Sequence, residues 1–233
     1  MKMLIGMGLE GNGKMVQRFL IGGVYMFIPK YYKITDMKEI NEFINMNSFA
    51  TIVAISKGRP IASHVPLLLN QDQDDYYLTG HLAYGNPLWK TFENTDQILT
   101  IFNGPHAYIS SSWYEQENVP TWNYQSVHIY GKASMIDGTE LEQDLTKLLE
   151  KYEKFRENPV LWEKLSPIML QKEIKGIKGI KGFKIKVEEV QAAYKLSQNR
   201  NNTDYANIIK ELYKEGDPHA SAVAEAMKKN RHD

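Results

Sequence analysis

Apolar and polar residues alternate with a period of two along much of the chain, which predicts a fold made mainly of β-strands. The alternation is clearest at residues 127–135, where Val127 and Ile129 fall on one face and His128 and Tyr130 on the other. Turn residues separate this segment from others of the same kind. The further strands are predicted at residues 49–56, 61–69, 76–82, 98–102 and 182–190, with residues 106–110 continuing in extended form.

Helical periodicity predicts helices at the edges of this sheet. Thr35 or Asp36 can cap the first helix, and Asn86, which precedes a proline, can cap a short one. Thr139 and Glu142 have the spacing of a capping box. The predicted helices cover residues 36–46, 88–94, 139–156, 159–164, 167–175, 203–215 and 217–229. We therefore expect a mainly β fold with flanking helices (α+β), in which six or seven antiparallel strands form a barrel or a sandwich.

Composition excludes several classes of function. The 233 residues include 28 basic and 28 acidic side chains, so the formal net charge is zero, which argues against direct binding to nucleic acid. Cysteine is absent, which excludes disulfides, thiolate metal sites and cysteine nucleophiles. No apolar run approaches the roughly 20 residues that a membrane span needs. We expect a cytoplasmic protein that does not contact a membrane.

Three short segments concentrate aromatic and hydrogen-bonding residues in what we interpret as loops. They cover residues 80–89, 104–114 and 119–124, and they contain three of the four tryptophans and two of the six histidines. Loops rarely carry so many bulky, polar-tipped side chains without a surface to recognise. A flat aromatic cofactor would suit them, because Trp and Tyr can stack on it while Asn, His and Ser bond its edge.

The first 25 residues differ from the rest of the chain. They are rich in Gly and Met, show no steady periodicity and have no small-residue cleavage site typical of a signal peptide. Gly22-Gly23 can be encoded by a purine-rich stretch that resembles a bacterial ribosome-binding site, at a suitable distance before Met26. We expect that translation begins at Met26 and that residues 1–25 are an annotation artefact or a disordered tail.

The order of these segments resembles the PaiB family of bacterial FMN-binding split-barrel proteins, over residues 26 to about 227. The resemblance implies a six-stranded antiparallel split β-barrel that forms a homodimer, with FMN near the dimer interface. It also implies a negative transcriptional regulator of protease production and sporulation. The segments that carry the resemblance are residues 27–32, 62–66, 80–89, 104–114, 119–124, 127–131 and 195–200.

With this family in mind, we expect residues 26–200 to form the barrel domain and residues 201–233 a helical pair packed on it. In many relatives a Lys or Arg stands where this chain has Tyr84 or Gly85, and a basic residue there can help to hold the FMN phosphate.

The FMN phosphate needs cations or N–H donors, ideally at a helix N-terminus, and the flavin ring needs an apolar slot with a few polar contacts. The expected cofactor-binding residues are Arg59, Ser63, His64, Thr79, His81, Asn86, Lys90, Trp113, Trp122, Tyr124, Lys195, Ser197, Gln198 and Arg200.

Several of these side chains also fit a purely structural role. His64 can be a hydrogen-bonded strand residue, and His81 is the strongest functional candidate among the histidines. Trp113, Trp122 and Tyr124 can equally be anchors of a dimer interface, where aromatic residues are enriched. The lysine-rich stretch at residues 172–186 is typical of a solvated face. The histidines lack the pairing of a metal site, so no metal is expected.

Three functions compete at this level. The first is an FMN-binding regulator of the PaiB type, and the second is a flavin-dependent oxidoreductase acting on a small molecule. Both need the same flavin slot, so the sequence does not separate them. The third is a repressor that contacts DNA directly. The last two predicted helices are its candidate, and their acidic side chains, Glu211, Glu215, Asp217 and Glu225, suit phosphate poorly.

Overall fold

The computed structural model of the protein describes residues 26–173 and 179–231. The expectation that translation begins at Met26 concerns residues 1–25, which lie outside the described residues. The same holds for residues 174–178 of the lysine-rich stretch. The prediction of a domain boundary near residue 200 stays a prediction.

One antiparallel sheet organises the described part of the chain. Its strands follow the order β3-β2-β6-β7-β8-β5-β4, and β1 pairs with β8 beside this path. The last strand in sequence, β8, therefore lies inside the sheet, between β7 and β5. The strands are β1 (Lys33–Ile34), β2 (Phe49–Ser56), β3 (Arg59–Pro66), β4 (Leu68–Asp72), β5 (Asp75–Ala83), β6 (Ile98–Ile109), β7 (Thr121–Ile136) and β8 (Ile180–Lys195).

The sheet curls so that two strands far apart in this order approach each other. A Cβ added at Gly80 in β5 would lie 3.1 Å from the carbonyl oxygen of Pro66 at the end of β3, and 2.6 Å from the Leu67 side chain. Because β3 and β5 meet in this way, the sheet encloses its inner face as a split barrel. The prediction of an antiparallel barrel with flanking helices is confirmed.

The predicted number of six strands is wrong, because the described residues form eight. The segment predicted as one strand over residues 61–69 breaks at Leu67, whose N–H donates to the carbonyl oxygen of Ser48 at 2.9 Å instead of continuing the ladder. This turn separates β3 from β4. The two residues of β1 are too short to give a sequence signal, and they are held by β8.

The interpretation of the aromatic segments as loops is also wrong for most of their length. Residues 106–109 pair with residues 121–124, so β6 and β7 continue together beyond an irregularity between Asn103 and His106. Their aromatic side chains are therefore fixed on the faces of a sheet.

Helices cover the open ends and one side of the barrel. They are α1 (Met37–Met46), α2 (Gly138–Glu153), α3 (Pro167–Glu173), α4 (Asn202–Lys214) and α5 (Pro218–Asn230), with a 3-10 helix at Pro87–Asn94 and a helical turn at Trp162–Lys164 in place of the helix predicted at residues 159–164. No helix of the described segments is long and apolar enough to cross a membrane.

Local capping chemistry explains most helix starts. The Asp36 side chain accepts from the N–H of Lys38 at 2.9 Å, as the sequence predicted. The predicted capping box of Thr139 and Glu142 is wrong. Helix α2 begins one residue earlier, at Gly138, with Asp137 at the cap position and no side-chain capping bond, so Thr139 already lies within the first turn.

A single apolar core fills the barrel and extends under the C-terminal helices. Ile52, Phe102 and Ile129 of the strands belong to the same cluster as Leu212 of α4 and Val223 of α5. Helix α2 instead covers the outer side of the sheet, where it packs in a separate small cluster. The outer faces of β2, β6 and β7 carry large side chains that remain exposed.

Candidate functional site

The start of the 3-10 helix Pro87–Asn94 is fastened to strand β3 by one side chain. Asn86 Oδ1 accepts from the N–H of Leu88 at 3.0 Å, and Asn86 Nδ2 donates to Ser63 Oγ at 2.8 Å. The predicted cap is therefore confirmed, and it brings together two of the predicted cofactor-binding residues. A helix start with a cap of this kind presents the positive end of its peptide dipoles.

Two lysines and two aromatic rings surround this helix start. Lys181 Nζ lies 5.3 Å from the centre of the Tyr84 ring and 5.2 Å from that of Trp89. Lys90 Nζ lies 5.5 Å from the Trp89 ring. Trp89 Nε1 donates to the carbonyl oxygen of Tyr84 at 2.9 Å, which holds the two rings side by side. We call the set the cap corner, and it consists of Ser63, Tyr84, Asn86, Trp89, Lys90 and Lys181.

Lys181 was missed by sequence reasoning. It comes from β8, nearly 100 residues after Tyr84, and it reaches the corner because β8 pairs with β5 at Leu82. Its ammonium lies beside the Tyr84 ring, at the start of the segment that leads to the helix Pro87–Asn94. Only the register of β8 against β5 places Lys181 at the corner, and no local sequence motif indicates it.

A second group of predicted residues lies on the outer side of the sheet. His64 and Ser63 are neighbours on β3, so their side chains point to opposite faces. His64 Nδ1 and Thr51 Oγ1 are 2.9 Å apart and share a hydrogen bond. We call this side the outer face, and it carries Phe49, Thr51, Ile55, His64, Ile101, His106, Tyr108, Trp122, Tyr124, His128 and Lys195.

Aromatic side chains form one end of the outer face. The Trp122 ring centre lies 5.9 Å from that of Tyr108 and 6.2 Å from that of His106. Tyr124 stands between His106 and Lys195 in the strand register. Trp122 is 53% exposed although it belongs to a strand. This end can therefore stack against a ring or against another protein surface.

The Lys195 ammonium is half-buried on the outer face, near Arg200. Burial lowers its pKa, and the nearby charge of Arg200 lowers the pKa further. Its ammonium donates to the hydroxyl of Thr121.

Thr79 and His81 lie on the outer side of β5, beneath helix α2. The Thr79 hydroxyl donates to the carboxylate of Asp144 and accepts from Asn70 Nδ2 at 2.8 Å. Burial raises the pKa of Asp144, and burial lowers the pKa of His81, although the Asp144 charge opposes this second shift. Among the described residues, His81 Nδ1 has no hydrogen-bond partner.

Asp144 was also missed by sequence reasoning. It occupies the apolar side of α2, next to Leu141 and Leu145, and is only 5% exposed. An acidic residue on the apolar face of a predicted helix is a signal that was available in the sequence.

The turn between β8 and α4 holds three more predicted residues in structural roles. Ser197 adopts a φ of 62° and exchanges hydrogen bonds with the buried side chain of Asn123 at 3.0 and 3.1 Å. Gln198 Oε1 accepts from the N–H of Leu196 at 2.8 Å, which closes the turn. The Arg200 guanidinium lies 4.6 Å from the centre of the Tyr114 ring.

The fourteen predicted residues therefore fall into separate groups instead of one. Their binding roles stay predictions. The groups are Ser63, Asn86 and Lys90 at the cap corner; His64, Trp122, Tyr124 and Lys195 on the outer face; Thr79 and His81 beneath α2; Ser197, Gln198 and Arg200 in the turn after β8; Trp113, half-buried against the core; and Arg59, exposed at the β2–β3 turn.

Comparison with protein families identifies the domain. Residues 26–189 match the family described as "Putative FMN-binding domain". The chain belongs to this family. Its match ends inside β8, so it includes the cap corner and most of the outer face.

A relative with high sequence identity narrows the family assignment. The chain is 61% identical over 202 residues to "Protease synthase and sporulation protein PAI 2" of Bacillus subtilis (strain 168), covering 87% of this chain and 96% of that protein. The predicted membership of the PaiB family is confirmed. An uncharacterized protein of Aspergillus fumigatus is 25% identical over 258 residues, covering 87% of this chain and 97% of that protein.

Solved structures share the fold at low sequence identity. The flavocytochrome Anf3 from Azotobacter vinelandii has a TM-score of 0.55 and 17% identity, covering 77% of this chain and 78% of that one. The FAD and heme binding protein from Mycobacterium smegmatis has a TM-score of 0.54 and 12% identity, covering 75% of this chain and 79% of that one. These similarities establish the fold.

The residues present fit the FMN cofactor of the family. A phosphate monoester needs cations and hydrogen-bond donors, and the cap corner supplies the ammonium groups of Lys90 and Lys181, the hydroxyl of Ser63 and the amide of Asn86. Tyr84 and Trp89 add apolar surface beside them. The predicted cofactor, FMN, agrees with the family to which the chain belongs. The corner is open on one side, because Tyr84 is 42% exposed.

Proposed function

We propose that this protein is an FMN-binding regulator of the PaiB type, which represses protease production and sporulation genes in the cytoplasm. The observation that carries the proposal is 61% identity to the Bacillus subtilis protease synthase and sporulation protein across nearly its whole length. The match of residues 26–189 to an FMN-binding domain supports the cofactor.

The FMN phosphate is proposed to bind at the cap corner. Lys90 and Lys181 neutralise its charge, and Asn86 keeps the helix start oriented towards it. Lys181 replaces the cation that many relatives carry at position 84 or 85. When bound, FMN supplies an isoalloxazine ring that can exist in oxidised and reduced forms.

The outer face is proposed to be the interface of a homodimer. Phe49 is 69% exposed and Ile55 is 51% exposed on the same side of β2, next to the half-buried Ile101 of β6. Exposed apolar residues that form a continuous patch are typical of protein interfaces. A second copy would bring its own Trp122 and Tyr124 towards the flavin ring and complete a slot that one chain leaves open.

Regulation is proposed to act without a standard DNA-binding motif. Three of the four lysines in α4 and α5 are paired with carboxylates: Lys214 with Glu211 at 2.6 Å, Lys228 with Glu225 at 3.7 Å and Lys229 with Glu42 at 2.9 Å. Pairing of this kind leaves little basic surface for a phosphate backbone. Flavin binding, or its redox state, would instead control the contacts of the dimer with other molecules.

The alternative function is a flavin-dependent oxidoreductase that acts on a small molecule. One observation favours it: His128 is half-buried on the outer face, and burial lowers its pKa. Burial therefore disfavours the charged imidazolium, and a neutral imidazole can accept a proton.

A spectroscopic titration tests the cofactor. Purified, dialysed protein is titrated with FMN while flavin absorbance and fluorescence are followed, and we expect saturable quenching. Lys181→Ala should weaken binding by about tenfold, the loss of one charge-assisted contact, whereas Lys132→Ala, on the exposed side of β7, should not. Unchanged affinity of Lys181→Ala would contradict the cap corner, and no FMN binding would contradict the cofactor.

Two further measurements separate regulator from enzyme. A host strain that lacks the gene should overproduce extracellular protease, and the wild-type gene should restore repression better than the Lys181→Ala gene. Sustained oxidation of NAD(P)H by the FMN-loaded protein with a small-molecule acceptor would favour the oxidoreductase. Protease levels that do not respond to the gene would contradict the regulatory role.

A further inference from the structure

A cavity of about 510 Å³ lies between helices α1 and α5, away from the cap corner. Phe43 of α1 and Tyr194 of β8 form its apolar floor, and their ring centres are 5.3 Å apart. Ala222 and Ala226 of α5 form the facing wall. The volume falls in the range of pockets that hold small organic molecules. The cavity shares no residue with the cap corner.

The floor of this cavity contains a buried polar group without a partner. Tyr194 is only 2% exposed, and within residues 26–173 and 179–231 its hydroxyl makes no hydrogen bond. Buried hydroxyl groups in proteins are almost always hydrogen-bonded, because an unpaired one keeps the cost of leaving water. The cavity beside it is where a partner can be supplied.

The rim of the cavity is acidic. Among the described residues that line it, Glu39, Glu42 and Glu225 carry carboxylates and Lys229 carries the opposing charge. Burial raises the pKa of Tyr194, and the charges of Glu39 and Glu42 raise it further, which places both carboxylates within electrostatic reach of the hydroxyl. The lining therefore attracts a positive charge.

We propose that this cavity binds a hydrophobic amine, an organic cation with an apolar body and an ammonium group. The apolar body lies on Phe43 and against Ala222 and Ala226. The ammonium donates to the Tyr194 hydroxyl oxygen and to the carboxylates of the rim, and it also lies near two aromatic rings, which attract cations.

The competing contacts are weak enough to yield to such a ligand. The ion pair between Lys229 and Glu42 is exposed to solvent, and exposed ion pairs contribute little. Glu225 accepts from the Tyr213 hydroxyl and pairs with Lys228 at 3.7 Å, and both contacts are likewise exposed to solvent. Binding would consequently bridge α1 and α5.

Calorimetry with three matched probes tests the proposal on the full chain. 2-Phenylethylammonium carries the cation, 2-phenylethanol is neutral, and 3-phenylpropanoate is an anion of similar shape. We expect saturable binding of the amine, at least about tenfold tighter than the alcohol, and no binding of the carboxylate. Equal affinity for amine and carboxylate, or no saturation by the amine below about 1 mM, would overturn the proposal.

Variants locate the site. Ala222→Trp fills the cavity from an exposed helix position and should abolish amine binding, while Ala206→Trp on the exposed side of α4 should not. Tyr194→Phe and Glu42→Gln should each weaken binding of the amine by about fivefold or more. Glu215→Gln should leave the affinity unchanged.

Chemical shifts of the Ala222 and Ala226 methyl groups, followed during the titration of the wild-type protein, give an independent location. They should move in proportion to the calorimetric saturation. Amine binding that persists in Ala222→Trp, or that leaves both methyl groups unmoved, would place the ligand elsewhere and reject this cavity.

Discussion

Asn86 donates a 2.8 Å hydrogen bond to Ser63 while it caps the helix that follows it. One side chain thereby joins strand β3 to the start of the helix Pro87–Asn94 and sets the shape of the cap corner. Both atoms of its amide are used, so its replacement affects the local helix and the tertiary contact together.

We expect Asn86→Ala to lower the free energy of unfolding by about 1–2 kcal/mol, because the cap and the bond to Ser63 are lost together. Ser63→Ala should cost less, since it leaves the cap in place and the Asn86 amide is half-buried and can reach water. Urea denaturation of the two variants checks this. Equal losses would show that the cap itself contributes nothing.

The charge of Asp144 should affect the pKa of His81. Burial lowers the pKa of His81, and Asp144 partly opposes that shift, so Asp144→Asn should lower the pKa of His81 further. NMR titration of the imidazole proton signals measures it. Glu150→Gln, on the exposed side of the same helix, serves as the control. An unchanged or higher value in Asp144→Asn would contradict the electrostatic contact.

Acid should destabilise the protein below about pH 6.5, the ordinary pKa of histidine. The pKa values of His81 and His128 are lowered in the folded state, so the unfolded chain binds more protons in this window and stability falls as the pH falls. Unfolding midpoints measured between pH 7.5 and pH 5 should show a shallower slope for a variant with His128→Gln than for the wild-type protein. An unchanged slope would contradict the contribution of His128.

Gly131 should tolerate no side chain. A Cβ there would lie 2.0 Å from the carbonyl oxygen of Lys186, at the irregular pairing of β7 with β8. We expect Gly131→Ala to lower the free energy of unfolding by more than about 2 kcal/mol, because backbone must move. Gly85→Ala is the control, since nothing lies within 4 Å of its added Cβ. A near-neutral Gly131→Ala would mean that the two strands separate easily.

A charge on the outer face should prevent dimer formation. Phe49→Lys places an ammonium in the proposed interface, so we expect a monomer with a folded core. Phe155→Lys changes a phenylalanine outside the sheet that is 84% exposed, against 69% for Phe49, and this variant should remain dimeric. Light scattering of the purified variants distinguishes the two. A dimeric Phe49→Lys protein would exclude this face as the interface.

Local signals were sufficient to predict most of the elements. The cap at Asp36, the proline after Asn86 and the alternation in β7 act over a few residues, so they are readable in sequence. The break at Leu67 and the extension of β7 back to Thr121 were not, because both depend on distant partners.

In the candidate site, too, only residues with a local sequence signal could be predicted. Asn86 was predicted from its own neighbours and lies where expected. Lys181 enters the cap corner through strand pairing, and Asp144 reaches Thr79 only because α2 folds over β5. Tyr194 and its acidic rim join three elements that are far apart in the chain. Such groupings follow from the tertiary structure and leave no local pattern.

The position of β8 in the sheet also determines when the protein can fold. The strand that pairs with β1, β5 and β7 is made of residues 180–195, and the pair of Lys33 with Ala193 spans 160 residues. During synthesis, β5 and β7 must therefore wait for most of the chain to leave the ribosome. Closing such distant pairs is slow, and the apolar strands are exposed until then. A chain that ends before β8 would lack the strand that joins β7 to β5.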